Sequence, residues 1–296
     1  VTSLVPSRRR RPSPVCARLC QLAILGLVAL PAVTPARARN PVASAPSGAR
    51  SPLAELLHQG KNREGLDWLR SFGKGGPEED RYRGLFNYGL GRPDEALHDL
   101  VPVYRASPKD DVVALAVAEA SLWKKDYKTA TVVLGALQSP EAPEALRIRG
   151  LLFEQAGRLP EAVEMYDRAI PHLPSPWEAM ERRAQVLSWL KRFDEARAGF
   201  SKVADSPDAN VRVRRRCRVR LAELSAWSKD FDGALGQLGR LLREDPGQTD
   251  ALLLKGQILE WKGSFGEAKE TYSRVLALDP ANAPARLRLN KLLWVN

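Results

Sequence analysis

The segment VRVRRRCRVR, Val211 to Arg220, packs six arginines into ten positions. On a helix, Arg212, Arg216 and Arg220 fall on one stripe, and Arg182 upstream is a candidate neighbour. Guanidiniums grouped this way suit carboxylate, phosphate or sulfate groups. The stripe runs on to Glu223 and Trp227. Trp123, Trp189 and Trp261 likewise follow Glu119, Gln185 and Gln257 by four residues. An indole beside a carboxylate or amide suits an extended peptide or a sugar chain. The plainer account has each Trp packed on the next repeat, and an arginine face solvated and partly neutralised by Glu178 and Glu181. The sequence leaves both accounts open.

Other reactive side chains are isolated. His58, His98 and His172 are far apart, with no second His or Cys at metal-ligand spacing, so no metal or cofactor is expected. The run GKGG at Gly73–Gly76 has neither the preceding strand nor the Lys-Ser/Thr ending of a phosphate loop and reads as a turn. Acidic pairs such as Glu78-Glu79 and Asp110-Asp111 suit helix starts. Cys217 lies on a stripe with Val213 and Leu221, four residues to either side, and is expected to be a buried, inert thiol. No catalytic residues are expected, and the chain is read as a non-enzyme.

The net charge of +11 is concentrated rather than spread. Six arginines lie within residues 1–38, which hold no acidic group, and six more lie within 211–220. The rest is nearly neutral, which disfavours nucleic acid as a partner. Residues 1–38 pass from RRRR through the apolar stretch Leu19–Leu30 to Ala36-Arg37-Ala38, the layout of a secretory signal peptide cleaved after Ala38. The alternative is a retained anchor facing the periplasm. The apolar stretch falls short of the ~20 residues that span a bilayer, so the mature chain is expected to have no stable span. Residues 39–52, rich in Pro, Ala, Ser and Gly, read as a flexible linker. Cleavage would remove Cys16 and Cys20 and leave Cys217 without a disulfide partner.

A fixed period organises the remainder. Ala96, Ala130, Ala162, Ala196, Ala234 and Ala268 are 34, 32, 34, 38 and 34 residues apart, and twelve before each stands Gly84, Ala118, Gly150, Ala184, Ala222 or Gly256. Two antiparallel helices can approach closely only where both carry a small residue. Pro108, Pro174, Pro246 and Pro280 mark helix stops. Within SWLKRFDEARAGF, Phe193 and Ala196 are assigned to the helix-pair core. The two-residue deficit near LQSPEAP is assigned to a turn, and the four extra residues before Ala234 to an added helical turn under the arginines.

This pattern resembles the tetratricopeptide repeat. The resemblance implies an all-α, right-handed superhelical solenoid over residues 53–296. It comprises a degenerate first pair at 53–74, repeats starting near 77, 111, 143, 177, 215 and 249, and a capping helix at 283–296. It also implies a concave groove lined mainly by each repeat's first helix. The expected function is an exported scaffold, of the bacterial periplasmic kind, binding a protein or peptide partner in an envelope assembly or secretion system. The alternative is a module for an anionic glycan or exopolysaccharide. Its candidate groove residues are Glu119, Trp123, Arg182, Gln185, Trp189, Arg212, Arg216, Arg220, Glu223, Trp227, Gln257 and Trp261.

Overall fold

A computed structural model describes residues 51–294. The signal-peptide reading and nearly all of the linker lie outside the described residues. The described residues form fifteen α-helices and one short 3-10 turn, with no strand. They fall into two compact units, dividing after Asp126. The first holds α1 (Pro52–His58), α2 (Asn62–Phe72), α3 (Pro77–Gly89), α4 (Pro93–Ala106) and α5 (Asp111–Trp123). The second holds α6 (Tyr127–Gly135), α7 (Pro143–Gln155), α8 (Leu159–Ala169), α9 (Trp177–Trp189), α10 (Phe193–Ala204), α11 (Val211–Trp227), α12 (Phe231–Glu244), α13 (Thr249–Lys262), α14 (Phe265–Leu278) and α15 (Ala283–Leu293). No described helix is long and apolar enough to cross a membrane.

Within each unit, every helix packs on the next in sequence, and first helices of neighbouring repeats also touch: α3 with α5, α9 with α11, and α11 with α13. This is a solenoid built of helix pairs, each covering the apolar face of its neighbour. Ala96, Ala130, Ala162, Ala196, Ala234 and Ala268 are all fully buried. Their partners explain the small residues. A Cβ on Gly84 would stand 2.5 Å from Leu100, one on Gly150 2.7 Å from the Tyr166 ring, and one on Gly256 2.4 Å from the Tyr272 ring.

The turns inside the pairs share one device. Lys125, Lys191 and Lys229 adopt φ of 61°, 62° and 63°, at the position held by Gly91, Gly157 and Gly263 elsewhere. The following N–H then reaches back to a carbonyl five residues earlier, as from Asp126 to Ser121 (2.8 Å), Arg192 to Leu187 (2.9 Å) and Asp230 to Ser225 (2.9 Å). This left-handed closure satisfies helix-end carbonyls and reverses the chain in a few residues. Lysine there carries a Cβ cost of roughly 1–2 kcal/mol that glycine avoids.

Three features differ from the periodic expectation or sharpen it. The deficit near LQSPEAP is not confined to a turn. It shortens α6, which stops at Gly135 after nine residues, where Val132, Val133 and Gly135 are poor helix formers. The four extra residues before Ala234 do form a helical turn: α11 runs 17 residues, starting at Val211 under an Asn210 cap whose side chain accepts from the Arg212 N–H at 2.8 Å. Phe193 is not a core residue. It is 42% exposed at the start of α10, where the turn carries it out of the pair, and its ring meets Trp227 edge-on at 6.3 Å. Ala196, three residues on, is buried.

Candidate functional site

The four tryptophans occupy equivalent helix ends but different surroundings. Trp123, the last residue of α5, stacks on Tyr88 of α3 with ring centroids 5.3 Å apart and planes within 9°. Tyr88 donates its hydroxyl to Glu119 Oε2 at 2.6 Å, and Glu119 is only 6% exposed. Trp123 and Glu119 therefore form a packed joint onto the preceding repeat, the reverse of the expected direction. Trp189 and Gln185 on α9 are half-buried. Trp227 on α11 is 57% exposed, and Trp261 on α13 is 42% exposed. Gln257, four residues before Trp261, is buried. Trp227 and Trp261 hold the same register position on α11 and α13, two helices that touch, and both indoles are open.

The arginines are mostly engaged within the protein. Arg216 forms a two-pronged pair with Glu181 of α9, Nε to Oε1 at 2.6 Å and Nη2 to Oε2 at 2.5 Å, so Glu181 supplies the neutralisation read from the sequence. Arg220 donates to Glu223 on its own helix at 2.8 Å. Arg215 and Arg218 donate to Asp245 (2.9 Å) and Glu244 (2.6 Å) at the end of α12. Arg182 on α9 donates to Glu154 of α7 at 3.1 Å. Arg212 is exposed and makes no ion pair among the described residues. Of the four candidate arginines, one remains available to an outside anion.

Glu154 was not singled out from the sequence, yet it is the most deeply buried carboxylate in the second unit. It accepts from the Tyr166 hydroxyl at 2.9 Å as well as from Arg182. Burial raises its pKa above the ordinary carboxylate range, against the opposing pull of Arg182 and Tyr166. The same three positions recur as Glu260, Tyr272 and Arg288, with Arg288 donating to Glu260 Oε2 at 3.1 Å. A usable signal existed: the carboxylate lies four residues after the small residue of a first helix, with a Tyr four after the paired Ala of the second. The arginine waits on the following first helix.

Cys217 is fully buried beside Val213 and Leu221, as its stripe indicates, and burial pushes its thiol pKa up. Among the described residues no group of three His, Cys, Asp or Glu is placed to hold a metal ion.

Comparison with known proteins agrees with this geometry. Tetratricopeptide-repeat family profiles match residues 124–175 and 228–285. A curated relative, DnaJ protein P58IPK homolog A of Oryza sativa subsp. japonica, is 26% identical over 158 residues, covering 49% of this chain and 32% of its own. The chain thus spans about a third of that relative's length. Among solved structures, the APC/C hetero-tetramer Cut9-Hcn1 is similar with a TM-score of 0.65 and 14% identity, over 81% of this chain and 48% of that one. PilW, a type IV pilus biogenesis factor, is similar with a TM-score of 0.63 and 19% identity, over 72% of this chain and 98% of that one. At such identities the structural likeness establishes the fold alone. The fold is one of protein–protein interaction scaffolds. With helix pairs at the right period, small residues at each crossing and two matching profiles, residues 124–175 and 228–285 are tetratricopeptide repeats, and the helix pairs around them continue the same pattern.

Proposed function

We propose that this chain is a non-enzymatic scaffold that binds a protein or peptide through the face of the second unit carrying Trp227 and Trp261. The observation that carries this reading is the pair of open indoles on the adjacent helices α11 and α13, amid arginines whose charges are already matched. Exposed aromatic rings in a charge-balanced setting favour apolar side chains of a partner, and Trp is prominent among residues that dominate binding energy. The anionic-polymer reading needs several open guanidiniums on one surface, and of its four arginines only Arg212 lacks an ion pair among the described residues. A peptide or protein is therefore the better-supported partner.

We further propose that the protein is exported and works in a bacterial envelope assembly. What supports this is the basic start, apolar middle and Ala-Arg-Ala ending of residues 1–38. The fold shared with PilW is compatible with that setting.

Photocrosslinking tests the binding reading. Benzoyl-phenylalanine in place of Trp227 should capture one discrete protein in intact cells, and Trp261→Ala in the same chain should abolish the product. The same label at the exposed Val132 of α6 should capture nothing comparable. No product from Trp227, or an identical product from Val132, would rule this face out.

A further inference from the structure

An open surface depression of about 420 Å³ lies between α3 and α4 in the first unit, lined by Arg83, Asn87, Asp94, Glu95, His98 and Asp99. It shares no residue with the aromatic face or the arginine helix. Two of its polar walls are deeply buried: Asn87 is 7% exposed and Asp99 8%. Asp99 accepts from Arg83 Nε at 3.2 Å and faces His98 Nδ1 at 3.1 Å. Arg83 is also bound to Asp80, and Lys124 of α5 pairs with Asp94 at 2.5 Å.

Charge and hydrogen bonding are both left incomplete there. Four carboxylates, Asp80, Asp94, Glu95 and Asp99, face two cations, Arg83 and Lys124. Glu95 is exposed and has no ion pair among the described residues. The Asn87 side-chain amide lines the depression, makes no hydrogen bond to protein among the described residues, and stays accessible to an incoming group. Its backbone carbonyl is already used by the Arg92 N–H at 3.0 Å, so the turn holds Asn87 in place independently of its side chain. On α4, Pro102 lacks an N–H, so the carbonyl of His98 loses its usual helical donor.

An excess of acceptors and negative charge around an open amide rejects an anion and welcomes a cationic donor. We infer that this depression receives a basic side chain, Lys or Arg, of a partner polypeptide. An ammonium has three N–H donors and a guanidinium five. Glu95, the unused lone pairs of Asp99 and the Asn87 amide, turned with Oδ1 toward the cation, supply matching acceptors. The methylenes of the incoming side chain lie along the walls while its head reaches the carboxylates. Neither Trp227 nor Trp261 takes part, so this site and the proposed aromatic face stand or fall separately.

The test is an NMR titration of the ¹⁵N-labelled full chain with N-acetyl-lysine methylamide, its arginine counterpart and its norleucine counterpart. The two basic probes should shift the Asn87 side-chain NH₂ signals saturably, with a Kd of about 1–10 mM for ligands this small. Norleucine should not. Glu95→Gln alters an exposed, unpaired side chain and should weaken binding by roughly fivefold or more, the effect of removing one charge-assisted bond. Trp227→Ala should leave the titration unchanged. Equal shifts with norleucine, no saturable response to either basic probe by about 100 mM, or full affinity in Glu95→Gln would each overturn the inference.

Discussion

Gly150 and Gly256 show how one side chain sets what its partner across the pair must be. Each faces a tyrosine ring sixteen residues on, whereas the equivalent Ala222 stands opposite the smaller Leu238. Gly256→Ala drives a Cβ into the Tyr272 ring, and overpacking of this kind costs about 1–3 kcal/mol. Gly256→Ala with Tyr272→Leu recreates the Ala222–Leu238 combination and should recover part of the loss in urea unfolding. Glu154 offers a second prediction. Arg182→Ala leaves a buried carboxylate without its cation, which costs about 3–5 kcal/mol at neutral pH. Because burial raises the folded-state pKa of Glu154, the folded protein takes up its proton more readily than the unfolded chain does. Its stabilising contribution is complete below the ordinary carboxylate pKa and is lost as pH rises through the raised value. The deficit of Arg182→Ala should therefore shrink as pH falls through that window, whereas a loss of packing alone would be insensitive to pH.

At the scale of elements, equivalent helix ends do different work. Trp123 closes α5 against Tyr88 and the buried Glu119, so Trp123→Ala should cost about 3 kcal/mol or more, typical of a large packed aromatic. Trp227 closes α11 in the same register but stands open, and Trp227→Ala should change stability by less than about 1 kcal/mol. Matched thermal melts of the two variants check the contrast. If both lose stability equally, Trp227 is a packing residue and the proposed face loses its anchor. The added turn of α11 depends on its start: Asn210→Ala removes the side-chain cap and should cost about 1 kcal/mol. Hydrogen exchange should localise that loss to residues 211–214. The register of these helices was readable from the apolar spacing. The shortening of α6 was not, because period alone counts residues without saying whether a helix or its turn gives them up.

At the scale of the molecule, the N-terminal region carries the export proposal, and its check is direct. The mature N-terminus should be Arg39, and a secreted or periplasmic product still carrying residues 1–38 would refute cleavage. Two units, each with its own buried helices, make up the described chain. What the sequence determined by itself is the helix-pair solenoid, because each crossing demands a small residue on the first helix, facing a larger side chain of the second, and a buried alanine on the second. That demand is written at fixed spacing from Gly84 to Ala268. The buried thiol of Cys217 was legible from its stripe, which places Val213 and Leu221 four residues to either side. What only the tertiary structure decided is the state of the tryptophans and arginines. Trp123 stacks on Tyr88, thirty-five residues away, while Trp227 meets the edge of Phe193; Arg216 finds Glu181 across a repeat boundary, while Arg212 finds no carboxylate among the described residues. Helical spacing fixes which stripe a side chain leaves from. Whether an indole is stacked or open, and a guanidinium paired or free, depends on the residue a neighbouring helix brings opposite it.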